Sequence, residues 1–181
     1  MKRQTTSHIH KKIARNFHYI LLLIFVLFMA SALVLGEMIG MYDVVWWWDD
    51  MLHGVSGVIF GLIGLIAIYF FNARYSMAIS PLFVAVFVFC FAVTMGVFWE
   101  IYEFIIDVTF KTTMQQWNMP PWATVMGRDY QGMGLRDTMS DLILASIGSL
   151  AAAIFSYFAY GYEKPTVLSV MRRTLRFLRF R

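Results

Sequence analysis

At 181 residues, with 60% hydrophobic and only 14% charged residues, the chain is too apolar for an ordinary soluble domain. Its formal net charge of +4 raises the question of nucleic acid. The basic residues, however, flank long apolar runs, which points to lipid headgroups as partners and to no nucleic acid.

Residues 1–16 form a basic segment containing Lys2, Arg3, Lys11, Lys12 and Arg15. Followed by an apolar run with Ala30-Ser31-Ala32, this resembles a secretory signal with a small-residue cleavage site. We read it instead as the flank of an uncleaved first span over 17–36. Three further stretches, 51–71, 77–99 and 142–160, reach the roughly 20 apolar residues that a membrane helix needs. The fold class expected is therefore all-α: a polytopic four-transmembrane-helix bundle over 17–160. Runs such as 20–29 and 55–71 have no polar face to offer water, which sets aside buried helices of a soluble protein. The single cysteine, Cys90, lies mid-span among phenylalanines. It excludes an intramolecular disulfide and a cysteine-based metal site, and reads as buried packing.

Basic residues in short loops stay cytoplasmic, so the N-terminal cluster places the N-terminus inside, and later spans alternate. Arg74 then lies inside, as do Lys164, Arg172, Arg173, Arg176, Arg179 and Arg181. Twelve of 15 basic residues fall on that side, while ten of 11 acids fall on the other. The expected location is the plasma or bacterial inner membrane, multi-pass, with both termini cytoplasmic. Trp46, Trp47 and Trp48 would anchor the outer interface. The basic tail, 161–181, can form an amphipathic helix from Val167 that lies on the anionic inner leaflet.

Three sets of acids share the outer side. Asp49, Asp50 and His53 open the second span; Glu100, Glu103 and Asp107 close the third; Asp137 and Asp141 open the fourth. Spacings of three and four let each set present one helix face. Counting outward puts His53, Glu100 and Asp141 near the hydrocarbon edge, with Asp50, Glu103, Asp107 and Asp137 about a turn beyond. A charge at a helix centre costs about 2.5–3.5 kcal/mol even on a lenient scale. Asp49 and Asp137 also fit the simpler role of acids at a helix start, where the dipole favours them. The dipole disfavours Glu100, Glu103 and Asp107, so that trio needs another reason. Ten outer acids against Lys111, Arg128 and Arg136 call for bound cations, protonation or a water-filled vestibule. Oxygen ligands suit Mg²⁺, Ca²⁺ or Mn²⁺, and His53 adds Zn²⁺ or Fe²⁺. Asp50, His53, Glu100, Glu103, Asp107, Asp137 and Asp141 are the candidate metal ligands. His53, Glu100, Glu103 and Asp137 are also the catalytic candidates.

His53, Gly57, Gly61 and Gly64 run down one side of the second span, with Gly54 adjacent, and small residues at this spacing suit close helix contact within the chain or in a homodimer. The outer loop, 108–136, carries Pro120-Pro121, Trp117, Trp122 and three glycines, which argue against another span. Within it Arg128 and Arg136 are the candidates for holding an anionic group of a substrate, because guanidinium offers a planar fork of donors.

Asp50-x-x-His53-Gly54, Phe98-Trp99-Glu100-Ile101-Tyr102-Glu103 with Asp107, and Asp137-Thr138-x-x-Asp141 with Gly148 resemble the YjdF-like group of small bacterial inner-membrane proteins. The stretch from Asp50 to Gly148 is more distantly similar to the VanZ-like family, which carries a histidine early in one span, a glutamate late in the next and Arg-x-x-Asp-type residues opening a later one. Arg136, Asp137 and Asp141 match that last element approximately. Neither resemblance implies a settled activity.

The leading functional reading is a metal-dependent membrane hydrolase or transferase acting on a lipid or other cell-envelope molecule. A cation- or proton-coupled transporter is the first alternative, since intramembrane acids mark ion pathways. A non-catalytic accessory subunit whose acids hold a structural cation is the second. Cysteine nucleophiles, glycine-rich phosphate loops and dinucleotide fingerprints have no place in the sequence.

Overall fold

A computed structural model describes residues 19, 22–75, 79–117 and 132–161. The basic N-terminal segment, Arg128 with the middle of the loop 108–136, and the basic tail beyond Gly161 lie outside the described residues. Those that are described are mainly helical, with no strand among them.

The first helix, α1, is apolar over Leu22–Gly36 and shorter than a full span within the described residues. Its C-terminal part is wound as a π-helix over Ser31–Met38, where the Ile39 amide donates to the Val34 carbonyl at 3.0 Å. Gly40, at φ 82°, then turns the chain in a left-handed conformation that favours glycine. A single helical turn, α2 (Met41–Val44), leads into α3 (Trp48–Tyr75), followed by α4 (Pro81–Phe110) and α5 (Met133–Gly161). All three of the latter are long and apolar enough to cross a membrane.

Local chemistry explains why the helices do not start where hydropathy alone suggests. Proline suits the first turn of a helix but breaks its interior. Accordingly α4 begins at Pro81 rather than at 77, with the Ser80 hydroxyl accepting from the Phe83 amide at 3.2 Å. Its other end continues past Trp99 to Phe110 and stops where Lys111 takes a left-handed φ of 58°. Helix α5 starts at Met133 rather than at 142. Glu100, Glu103, Asp137 and Asp141 therefore sit within helices, while Asp49 and Asp50 stay in the first turn of α3 and Asp107 in the last turn of α4, and the connection between α4 and α5 is shorter at both ends than 108–136.

The most extensive helix interface is α3 against α5, followed by α4 against α5. Backbones meet there without side chains between them. A Cβ on Gly57 would overlap the Ala145 carbonyl oxygen, and one on Gly148 would overlap the Gly54 carbonyl oxygen. Gly61 faces Ala152 and Gly64 faces the Phe91 ring. The small-residue stripe of α3 is thus occupied within one chain, as small residues permit in membrane bundles.

Below this contact lies an apolar core of Leu65, Ile68, Tyr69, Val84, Val88, Ala152 and Ala153. Its polar atoms are satisfied. Ser149 and Ser156 donate to the Ala145 and Ala152 carbonyls, and Asn72 Nδ2 donates to the Tyr160 hydroxyl at 2.8 Å. Phe70, Phe83, Ile147 and Phe158 are exposed on the outer surface, as lipid-facing residues should be. Cys90 is exposed there too, which corrects the expectation that it packs inside.

Candidate metal centre

Alternating helix directions bring the start of α3, the end of α4 and the start of α5 to one end of the bundle. Each contributes acids at helical spacing. Asp49 and His53 stand one turn apart on α3, Glu100 and Glu103 on α4, and Asp137, Ser140 and Asp141 on α5. All are buried, from Asp49 at 9% exposure to Asp141 at 1%. Seven polar side chains have replaced the hydrocarbon that fills the opposite end.

His53 is at the centre. Its Nε2 lies 3.5 Å from Asp49 Oδ1 and 4.0 Å from Asp141 Oδ1, while its Nδ1 lies 3.6 Å from Glu100 Oε1. These separations are too long for hydrogen bonds. They are close to the spacing of about 3–3.5 Å that metal bonds of roughly 2.0–2.2 Å impose on neighbouring ligand atoms. Asp49, His53 and Asp141 each offer one ligand atom, and the three atoms lie within 4.8 Å of one another. Two carboxylates and one imidazole suit Mn²⁺, Zn²⁺ or Fe²⁺, and less well the all-oxygen preference of Mg²⁺ or Ca²⁺.

Buried polar atoms ordinarily find partners, and an orphan costs about 1–3 kcal/mol. Here Asp137 Oδ2, Ser140 Oγ, Asp141 Oδ2 and both Glu100 oxygens are buried without a hydrogen bond. The Thr138 hydroxyl is a neighbouring donor for Glu100, yet it completes no bond of ordinary geometry and itself accepts from Gln115 Nε2 at 2.9 Å. Five unsatisfied atoms around one point are the sign of a group that a cation completes.

The remaining candidates take different places. Glu103 is buried in the same cluster, with Oε1 accepting from Trp99 Nε1 at 2.6 Å. Asp137 is buried beside Asp141. Asp50 is only half-buried and outside the three-residue group. Sequence spacing offers Asp49 and Asp50 equally to His53, four and three residues away, and the structure selects Asp49. Asp107 departs furthest from a ligand role. Its Oδ1 accepts from the Thr112 hydroxyl at 2.6 Å and the Met114 amide at 2.8 Å, and its Oδ2 from the Gln115 amide at 3.0 Å. Both oxygens are committed to folding the segment after α4. Arg136 is buried at 6%, with Nη1 3.6 Å from Met133 Sδ, rather than held out toward an approaching anion.

The segment folded by Asp107 lies against the cluster. Gln116 Nε2 donates to Asp49 Oδ2, and Gln115 reaches Thr138 on α5. Trp117 Nε1 returns to the Thr112 carbonyl at 3.0 Å. On another side, a cavity of about 240 Å³ opens between α1 and the α3–α4 pair. Phe25, Phe28, Met29, Ala32, Phe60 and Met95 form its apolar walls, while Asp49, His53 and Ser56 supply its polar end.

No curated protein and no solved structure matches the chain. One family model does, over residues 7–161, and its description is "Predicted membrane protein (DUF2238)". That span contains every described helix and every acid of the cluster, and the match is compatible with the YjdF-like resemblance. The chain belongs to the DUF2238 family of predicted membrane proteins.

Proposed function

We propose that this membrane protein holds a divalent cation between Asp49, His53 and Asp141 and uses it to bind or process a lipid or other cell-envelope molecule. The observation that carries this reading is the meeting of three buried ligand side chains from α3 and α5 around a point where neighbouring carboxylate oxygens have no partner. In this reading α1 completes a fourth span, both termini are cytoplasmic and the cluster faces outward, as the segregation of basic and acidic residues favours.

Each side chain then has a distinct task. His53 presents Nε2 to the cation, and Glu100, 3.6 Å from Nδ1, fixes the tautomer and orientation of the ring. Asp49 and Asp141 supply negative oxygens. Asp137 and Glu103 are the carboxylates left to accept a proton from water or a substrate hydroxyl, with Trp99 holding Glu103 in place. A cation bound by three protein ligands keeps a coordination position open, where it would polarise an oxygen and lower the pKa of water.

The test is metal analysis of detergent-purified protein. Wild type should carry about one divalent ion per chain, His53→Ala should carry none, and Glu100→Gln should bind it about 10–100-fold more weakly. A His53→Ala protein that retains stoichiometric metal would overturn the assignment. Envelope lipid extracts incubated with the wild-type and metal-free forms then show whether binding is accompanied by turnover.

A further inference from the structure

The directions from which the cluster is reachable say what it receives. From the end of the bundle, the segment after α4 is drawn over it: Asp107 gathers Thr112, Met114 and Gln115, and the next residue, Gln116, is bonded to Asp49. Toward the bundle centre, α3 and α5 close at Gly57 and Gly148 with no room for a methyl group. Sideways, the same Asp49 and His53 form the polar end of the apolar cleft beside α1. Of that helix, the π-helical part Ser31–Met38 packs far less extensively on α3 than α5 does.

We propose that the site is loaded laterally from the bilayer: one apolar chain of a membrane amphiphile lies in the α1–α3–α4 cleft, and its uncharged, oxygen-bearing head reaches the open position of the cation at His53 and Asp49. This rests on the metal reading above. Size limits the occupant. About 240 Å³ lies below the roughly 300–1,000 Å³ of ordinary ligand pockets, enough for one chain segment and too little for a whole two-chain lipid. Away from the Asp49–His53 end its walls are mainly apolar, with Phe25, Phe28 and Phe60 along its length.

Charge decides the head. Asp49, Glu100, Glu103, Asp137 and Asp141 are five buried carboxyl groups, against Arg136 and two charges on a divalent ion. A phosphate or carboxylate head would bring more negative charge into a site already in excess, where low dielectric magnifies repulsion. A hydroxyl or ester oxygen ligates the cation without that penalty. Asp141, 1% exposed and with Oδ1 4.0 Å from His53 Nε2, leaves Oδ2 buried and unpartnered beside the His53 end of the cleft.

The experiment uses the full chain in detergent, loaded with Mn²⁺, and two probes sharing an oleoyl chain: monooleoylglycerol and the corresponding lysophosphatidic acid. Native mass spectrometry reads retention of the lipid, and the Mn²⁺ electron paramagnetic resonance spectrum reads whether its head reaches the ion. Monooleoylglycerol should be retained at least tenfold better than lysophosphatidic acid and should alter the manganese spectrum. Ala32→Trp, which fills the cleft from α1, should lower retention at least tenfold with manganese content unchanged, and Met95→Trp does the same from α4 if the first variant folds poorly. Equal retention by wild type and a folded cleft-filling variant, or preference for lysophosphatidic acid, overturns the proposal. If the wild type binds no manganese yet loses the lipid on Ala32→Trp, the metal reading fails and the lateral cleft stands.

Discussion

The two ends of this bundle are built from the same three helices and obey different rules. Around Leu65, Val84, Val88 and Ala152 the helices pack hydrocarbon, and the polar atoms nearby, on Ser149, Ser156 and Asn72, are all bonded. About three turns farther along, the same helices bury five carboxyl groups and a histidine, and five polar atoms there lack a hydrogen bond. The apolar end is complete as it stands. The acidic end is complete only with something added, and a membrane protein tolerates that where the addition is its function.

The largest effect should come from wedging the ends apart at their shared contact. Gly148→Leu drives a side chain into the Gly54 carbonyl. It should cost about 3 kcal/mol, at the top of the overpacking range, and appear as loss of monodisperse protein in detergent. Adding the cation should act only on the acidic end. At a concentration 100 times its dissociation constant it raises stability by about 2.7 kcal/mol, seen as a higher unfolding midpoint that chelation reverses.

Asp141→Asn sharpens the contrast because its sign depends on the cation. With chelator present, removing one uncompensated buried carboxylate should stabilise the protein by about 2 kcal/mol. The metal-dependent rise should vanish in the same variant. A smaller change is expected from Asp107→Asn, which weakens charge-assisted bonds to the segment after α4 by about 1–1.5 kcal/mol. It should show faster tryptic cleavage after the exposed Lys111 and leave metal content unaltered. Cys90→Ser, on the outer face, should shift stability by less than about 0.5 kcal/mol; a larger loss would mean that this face is not turned to lipid.

Much of this organisation was legible in the sequence because the signals were large. Apolar runs of spanning length locate α3, α4 and α5, and counting outward along each span places His53, Glu100 and Asp141 at one depth. What escaped depends on side-chain direction. Asp49 and Asp50 are both within a turn of His53, and only the roll of α3 against α5, set by Gly57 and Gly148, decides which faces inward. Asp107 keeps the helical spacing of Glu100 and Glu103, but its oxygens are captured by the three residues that follow the helix end, a local competition invisible in periodicity. Cys90 was misread for a related reason: in a membrane helix an apolar neighbourhood is found on the lipid face as readily as in the core.

The most direct test of the central claim is electron spin-echo envelope modulation on the Mn²⁺-loaded chain. If the acids of α3 and α5 hold a cation through His53, the spectrum shows coupling to a single imidazole nitrogen that disappears in His53→Ala. Bound manganese with no histidine nitrogen coupling would contradict the account.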